Sequence, residues 1–131
     1  MKPFSYLTII LLSLFSQSCY SQNDEYIESS RLSLKNYGFS YCMKKKSEEK
    51  NLPYLDYSRA LGIYLNNGNH NSPDVYNSVH SYIKDNIKSN NFKSFNGDNT
   101  TFSCLELYNS KRYEEFIESL DSYIAPEPNL S

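Results

Sequence analysis

From residue 25 onward, apolar side chains return every three or four positions, and no stretch alternates for long with a period of two. The first spacing lines up one face of a helix and the second would line up one face of a strand. The chain is therefore expected to be all-α, a compact bundle of about five helices. The first covers residues 25–45, with Ile27, Arg31, Leu34, Tyr37, Tyr41 and Cys42 on one stripe. Gly38 lies inside that stripe and costs about 1 kcal/mol relative to alanine, which close contact with another helix would explain. Lys44, Lys45 and Lys46 suit a helix C-terminus. Pro53 opens the second helix, whose face is Tyr54, Tyr57, Ser58, Leu61, Tyr64 and Leu65, and Gly68 is placed to end it as a left-handed cap. Ser72-Pro73-Asp74 is a helix start: a capping hydroxyl, a proline at the first position and an acid in the first turn. Val75, Val79, Tyr82, Ile83, Asn86 and Ile87 follow on the inner face. A polar loop broken by Phe92 and Phe95 leads to a fourth helix over 101–108, showing Phe102, Leu105 and Tyr108. Ser110 can cap a fifth, with Tyr113, Phe116, Ile117 and Leu120 inward. Pro126 and Pro128 close the ordered chain.

The N-terminus reads as an address rather than as part of that bundle. Lys2 supplies a positive start, residues 4–15 a largely apolar run, and Ser16, Ser18 and Ser21 the small residues of a cleavage region. The run falls short of the roughly 20 residues that span a bilayer. The division expected is a signal peptide over 1–21, a helical domain over 22–125 and a flexible tail over 126–131, with export to the periplasm. Cleavage before Cys19 or before Gln22 fits. Anchoring as a lipoprotein through Cys19 is the lesser alternative, because Gln17 is bulky for a lipobox. Removing the leader leaves about 110 residues, enough for one modest core and too few for a two-domain cofactor enzyme. It also leaves two of the three cysteines, Cys42 and Cys104. An even pair in an exported chain suggests a disulfide, worth about 4 kcal/mol in the chain-entropy model for a loop of this length. Two unrelated buried thiols are the alternative.

Composition narrows the function classes. A net charge of −2 lacks the basic excess of a nucleic-acid binder. Thirteen Tyr and seven Phe with no Trp suit a thin core with hydrated edges. His70 and His80 are the only histidines, and neither belongs to a ligand-spaced motif, so no metal and no cofactor is expected. His70 is placed in a solvated turn and His80 on a helix surface. No glycine-rich phosphate loop occurs, and Glu48-Glu49, Glu114-Glu115 and Glu118 read as solvated helix faces. Cys42 has no histidine near it in sequence, and a disulfide would disable it as a nucleophile. The chain is read as a binder without catalytic activity and without a small-molecule substrate.

Three segments carry a resemblance. Gly62-Ile63-Tyr64-Leu65-Asn66-Asn67-Gly68, Ser72-Pro73-Asp74-Val75-Tyr76 and Phe102-Ser103-Cys104-Leu105-Glu106-Leu107-Tyr108-Asn109-Ser110 resemble, in order and spacing, the amidase immunity protein family of type VI secretion systems, Tai4. Its Cys-Leu-x-x-Tyr-x-Ser segment is matched by Cys104, Leu105, Tyr108 and Ser110, and its first-helix cysteine by Cys42. The resemblance spans about residues 37–120. It implies an all-helical, homodimeric periplasmic protein that binds and blocks a secreted peptidoglycan amidase, a Tae4-like cysteine peptidase of the NlpC/P60 type. It further implies that the loop over 91–99 enters the enzyme's active-site groove. Lys93, Ser94, Phe95, Asn96 and Asp98 are the residues expected to make that contact, with Phe95 the aromatic anchor and Asn96-Gly97 the turn. Leu105, Tyr108 and Ser110 are expected to be structural. The competing readings are a helix connector in which Phe92 and Phe95 cover the core, and a non-catalytic envelope interaction or structural protein without a cognate effector.

Overall fold

The computed structural model describes residues 22–51, 57–87 and 99–128. These form five α-helices: α1 (Gln22–Glu49), α2 (Tyr57–Asn67), α3 (Pro73–Asn86), α4 (Thr100–Tyr108) and α5 (Lys111–Glu118). A single 3-10 turn follows at Asp121–Tyr123. The expected all-α bundle is thus the fold observed, and Cys42 is joined to Cys104 with Cα atoms 5.8 Å apart. The signal-peptide residues and Pro53 lie outside the described residues.

α1 is the central pillar, in contact with each of the other four helices. At 1.5 Å per residue its 28 residues run about 42 Å. It continues past residue 45 because its last turns are tied by pairs at helical spacing, Lys44 to Glu48 at 3.7 Å and Lys45 to Glu49 at 3.3 Å. Asn51 then turns left-handed, with φ of 49°, a conformation that asparagine tolerates at a helix end. The surfaces that α1 offers its neighbours include four buried serines, Ser30, Ser33, Ser40 and Ser47. Serine is small enough for close helix approach, and its hydroxyl can be satisfied locally. Ser30 donates to the Tyr26 carbonyl at 2.7 Å and Ser40 to that of Asn36 at 3.0 Å. Ser33 reaches across to the Tyr64 carbonyl of α2 at 3.2 Å.

The core gathers Leu34, Tyr37, Cys42 and Met43 of α1 with Val75, Tyr76, Val79 and Ile83 of α3. Cys104, Tyr113, Ile117 and Leu120 complete it. Each fully buried aliphatic among them contributes about 1.5–3 kcal/mol. α3 begins as its sequence implies, with the Ser72 hydroxyl accepting from the Asp74 N–H and Pro73 at the first position. α2 is laid on rather than built in. It has no buried residue, and Leu61 and Tyr64 only edge the core.

Gly38 is where α1, α3 and α5 converge. A Cβ there would lie 1.9 Å from the Tyr113 hydroxyl and 3.0 Å from Val79 Cγ1. Tyr113 is 1% exposed and cannot step aside. Gly38→Ala gains about 1 kcal/mol of helix propensity but incurs overpacking near the top of the usual range of about 1–3 kcal/mol. A net loss of about 2 kcal/mol is expected in urea unfolding. Tyr113→Phe should recover part of it in the double variant by removing the nearest atom. An undiminished midpoint for Gly38→Ala would contradict this packing. Gly68, in contrast, is not left-handed. Its side is filled by the Tyr76 hydroxyl, 2.9 Å from a built Cβ, and the Tyr64 carbonyl at 3.0 Å. It is glycine for lack of space, not for an unusual backbone angle.

The chain's end returns to its middle. Residues 69–71 and 123–125 meet in an antiparallel bridge between His70 and Ile124. The Ala125 N–H donates to the Asn69 carbonyl at 2.7 Å and the Asn71 N–H to that of Tyr123 at 2.9 Å. Next to it, Arg31 of α1 grips both carboxylate oxygens of Asp121, 90 positions away, with its Nε at 2.9 Å from Oδ1. The pairing raises the already high pKa of the guanidinium further, the Asp121 hydrogen bond outweighing partial burial, so Arg31 is a permanent cation.

Candidate functional site

The described residues build a frame around the segment expected to bind. On one side α3 stops at Ile87, whose N–H donates to the Ile83 carbonyl at 3.0 Å. On the other, Asn99 precedes α4. Its carbonyl accepts from the Ser103 N–H at 3.0 Å, and its side-chain oxygen accepts from Lys50 Nζ at 3.3 Å. Thr100 is 1% exposed. One turn further, Cys104 is bonded to Cys42, so α4 is fixed to the pillar close to its first residue. Lys93, Ser94, Phe95, Asn96 and Asp98 lie outside the described residues.

The Cys-Leu-x-x-Tyr-x-Ser segment divides by role. Cys104 makes the covalent tie. The Tyr108 hydroxyl donates to Asn36 Oδ1 at 2.9 Å, its ring meets Phe39 edge-on at 5.6 Å, and Lys35 Nζ sits 4.6 Å above it. The Ser110 hydroxyl donates to the Leu107 carbonyl at 2.7 Å and accepts from the Tyr113 N–H at 3.2 Å. One side chain thus ends α4 and starts α5, which sets the bend between them. Leu105 does something else: it is exposed at 42%, and Phe102 at 44%. The inward stripe of α4 is Thr100, Ser103, Cys104 and Leu107; of the expected Phe102, Leu105 and Tyr108, only Tyr108 packs on the core beside it. The disulfide fixes the rotation of this short helix, and the stripe at i, i+3, i+4 and i+7 follows from Cys104.

The histidines also depart from expectation. His70 is buried in the bridge, and neither ring nitrogen has a protein partner among the described residues. His80 stacks on Tyr41 at 3.7 Å, and its Nε2 is hydrogen-bonded to the Tyr37 hydroxyl at 2.8 Å. The Tyr37 and Tyr41 pair on α1 was the available signal, since residues at i and i+4 form one receptive patch. Among the described residues no group of three His, Cys, Asp or Glu side chains could hold a metal ion.

Burial lowers the pKa of both imidazoles. Asp121 opposes the effect at His70, and Lys44 reinforces it at His80. Each folded histidine thus titrates below the ordinary value of 6.5, and the unfolded chain binds more protons in that window. Their contribution is complete above pH 6.5 and is lost as the pH falls. The urea midpoint should drop between pH 7.5 and 5.5, and a midpoint that stays level or rises would contradict the assignment.

No helix among the described residues is long and apolar enough to cross a membrane. A family model described as type VI secretion system (T6SS), amidase immunity protein, Tai4, matches residues 33–117. No curated protein and no solved structure matches the chain. The matched span begins on the inner face of α1 and ends at the last buried residue of α5, so it contains both cysteines and the Ser110 bend.

Proposed function

The chain belongs to the Tai4 family of type VI secretion system amidase immunity proteins, and on that premise we propose that it protects the periplasm by occupying the groove of a Tae4-like peptidoglycan amidase. The family match across the disulfide-tied frame is the observation that carries this reading. The inserted element is the 91–99 loop, with Phe95 as the aromatic anchor and Lys93, Ser94, Asn96 and Asp98 bonding at the groove's walls. Such inhibition moves no proton and uses no metal. It excludes substrate, so what matters is that the loop's ends are held. α3 on one side, and α4 with its bond to Cys42 on the other, supply that rigidity, which lowers the ordering cost of binding.

The signal over 1–21 delivers the chain to the compartment where peptidoglycan is cut. Export also brings it where disulfides form and persist, which suits a fold tied by one. A homodimer is part of the proposal, because it would present two loops from one particle. Co-purification tests the reading: the mature chain should co-elute with a Tae4-like Cys/His amidase, at a mass fitting two copies of each. Separate elution at micromolar concentration would reject that pairing.

A further inference from the structure

The bridge between residues 69–71 and 123–125 holds a buried imidazole with no acceptor for a second proton among the described residues. We propose that this bridge is a pH-sensitive clasp, with His70 as its trigger, that releases the chain's C-terminal segment in mildly acidic surroundings. The inference is independent of the amidase reading.

The geometry favours the neutral ring. His70 is 8% exposed. The backbone bonds on either side of it, Ala125 to Asn69 and Asn71 to Tyr123, are made between main-chain groups and offer the ring nothing. Asn69, the one polar side chain beside it with a described partner, donates its amide to Ser30 Oγ at 2.8 Å. From the 3-10 turn the facing charge is Asp121, but both of its oxygens are taken by Arg31 of α1, which also meets Glu28 of the same helix and Glu118 of α5, the latter at 3.9 Å. Arg31 offsets part of that charge, and what remains favours a protonated ring without outweighing its burial. Tyr123 flanks the bridge and is 41% exposed. A protonated His70 would be a buried cation with its counter-charge engaged elsewhere, a costly state. Opening the bridge hydrates it. Only a short segment, residues 121–125, has to move, and the core helices can stay packed.

Amide exchange resolves the clasp from the core. The reporters are the N–H groups of Ala125 and Asn71, with Ile87 as the control on α3. Between pH 7.5 and 5.0, after correction for intrinsic rates, clasp protection should fall toward a limit of about thirtyfold. That is the factor by which a freely titrating histidine is held protonated at the lower pH. Ile87, at the end of α3, reports local fraying that leaves both histidines covered, and should fall less. His70→Asn should remove the clasp's pH dependence, and His70→Phe provides a second neutral side chain should the first destabilise the bridge at every pH. Equal protection at both pH values in the wild-type chain would overturn the proposal. So would an undiminished pH dependence in either folded variant, or an equal fall at Ile87.

Discussion

Replacing Cys42 and Cys104 together by alanine should lower the unfolding free energy by about 4 kcal/mol. The bond closes a separation of 62 residues, and its loss returns that loop entropy to the unfolded chain. Total stability for a domain of this size is about 5–15 kcal/mol, so a large share depends on one bond. Alanine is the appropriate replacement because both sulfurs are in the core, each residue 1% exposed, and serine would add two buried hydroxyls. In urea the midpoint should move down by about 2 M. The effect should concentrate on α4. That helix is nine residues long, buries only Thr100, Ser103 and Cys104, and leaves Phe102 and Leu105 exposed. Without the bond it rests on the packing of Thr100, Ser103, Leu107 and Tyr108. A midpoint shift under about 0.5 M would show that α4 is held mainly by packing.

The second large effect concerns binding. Truncating Phe95 to alanine should weaken inhibition of the amidase by about thirtyfold or more, the loss of roughly 2 kcal/mol that marks a central aromatic anchor. Asp98→Ala should act in the same direction and more weakly. The urea midpoint separates this from the connector reading. An anchor leaves stability unchanged while inhibition falls. A side chain covering the core loses stability instead. Unchanged inhibition by both variants would move the interface away from the loop.

The legible parts of this fold were those where apolar pattern and turn chemistry agreed. Ser72-Pro73-Asp74 marked the start of α3, Ser110 marked α5, and Val75, Val79, Ile83, Tyr113 and Ile117 were placed inward from spacing alone. The misplaced parts share a cause: burial there is not carried by apolar side chains. Ser30, Ser33, Ser40 and Ser47 line α1 because several helices crowd it. Ranking residues by hydrophobicity cannot find them. Phe102 and Leu105 are apolar yet face outward, because the covalent tie of Cys104 to α1 sets the rotation of α4. His70 looked like a turn residue and is one, but the chain's end folds over it. That pairing joins positions more than fifty residues apart and has no local signature. The binding loop was placed by family resemblance and by the Phe95-Asn96-Gly97 chemistry, not by periodicity.

The central claim is that this domain blocks an amidase by occupying its groove. The most direct test titrates the oxidised mature chain into a Tae4-like amidase acting on peptidoglycan and follows product release. Hydrolysis should fall linearly and stop near one immunity chain per enzyme. Full hydrolysis in the presence of a tenfold excess would contradict the account.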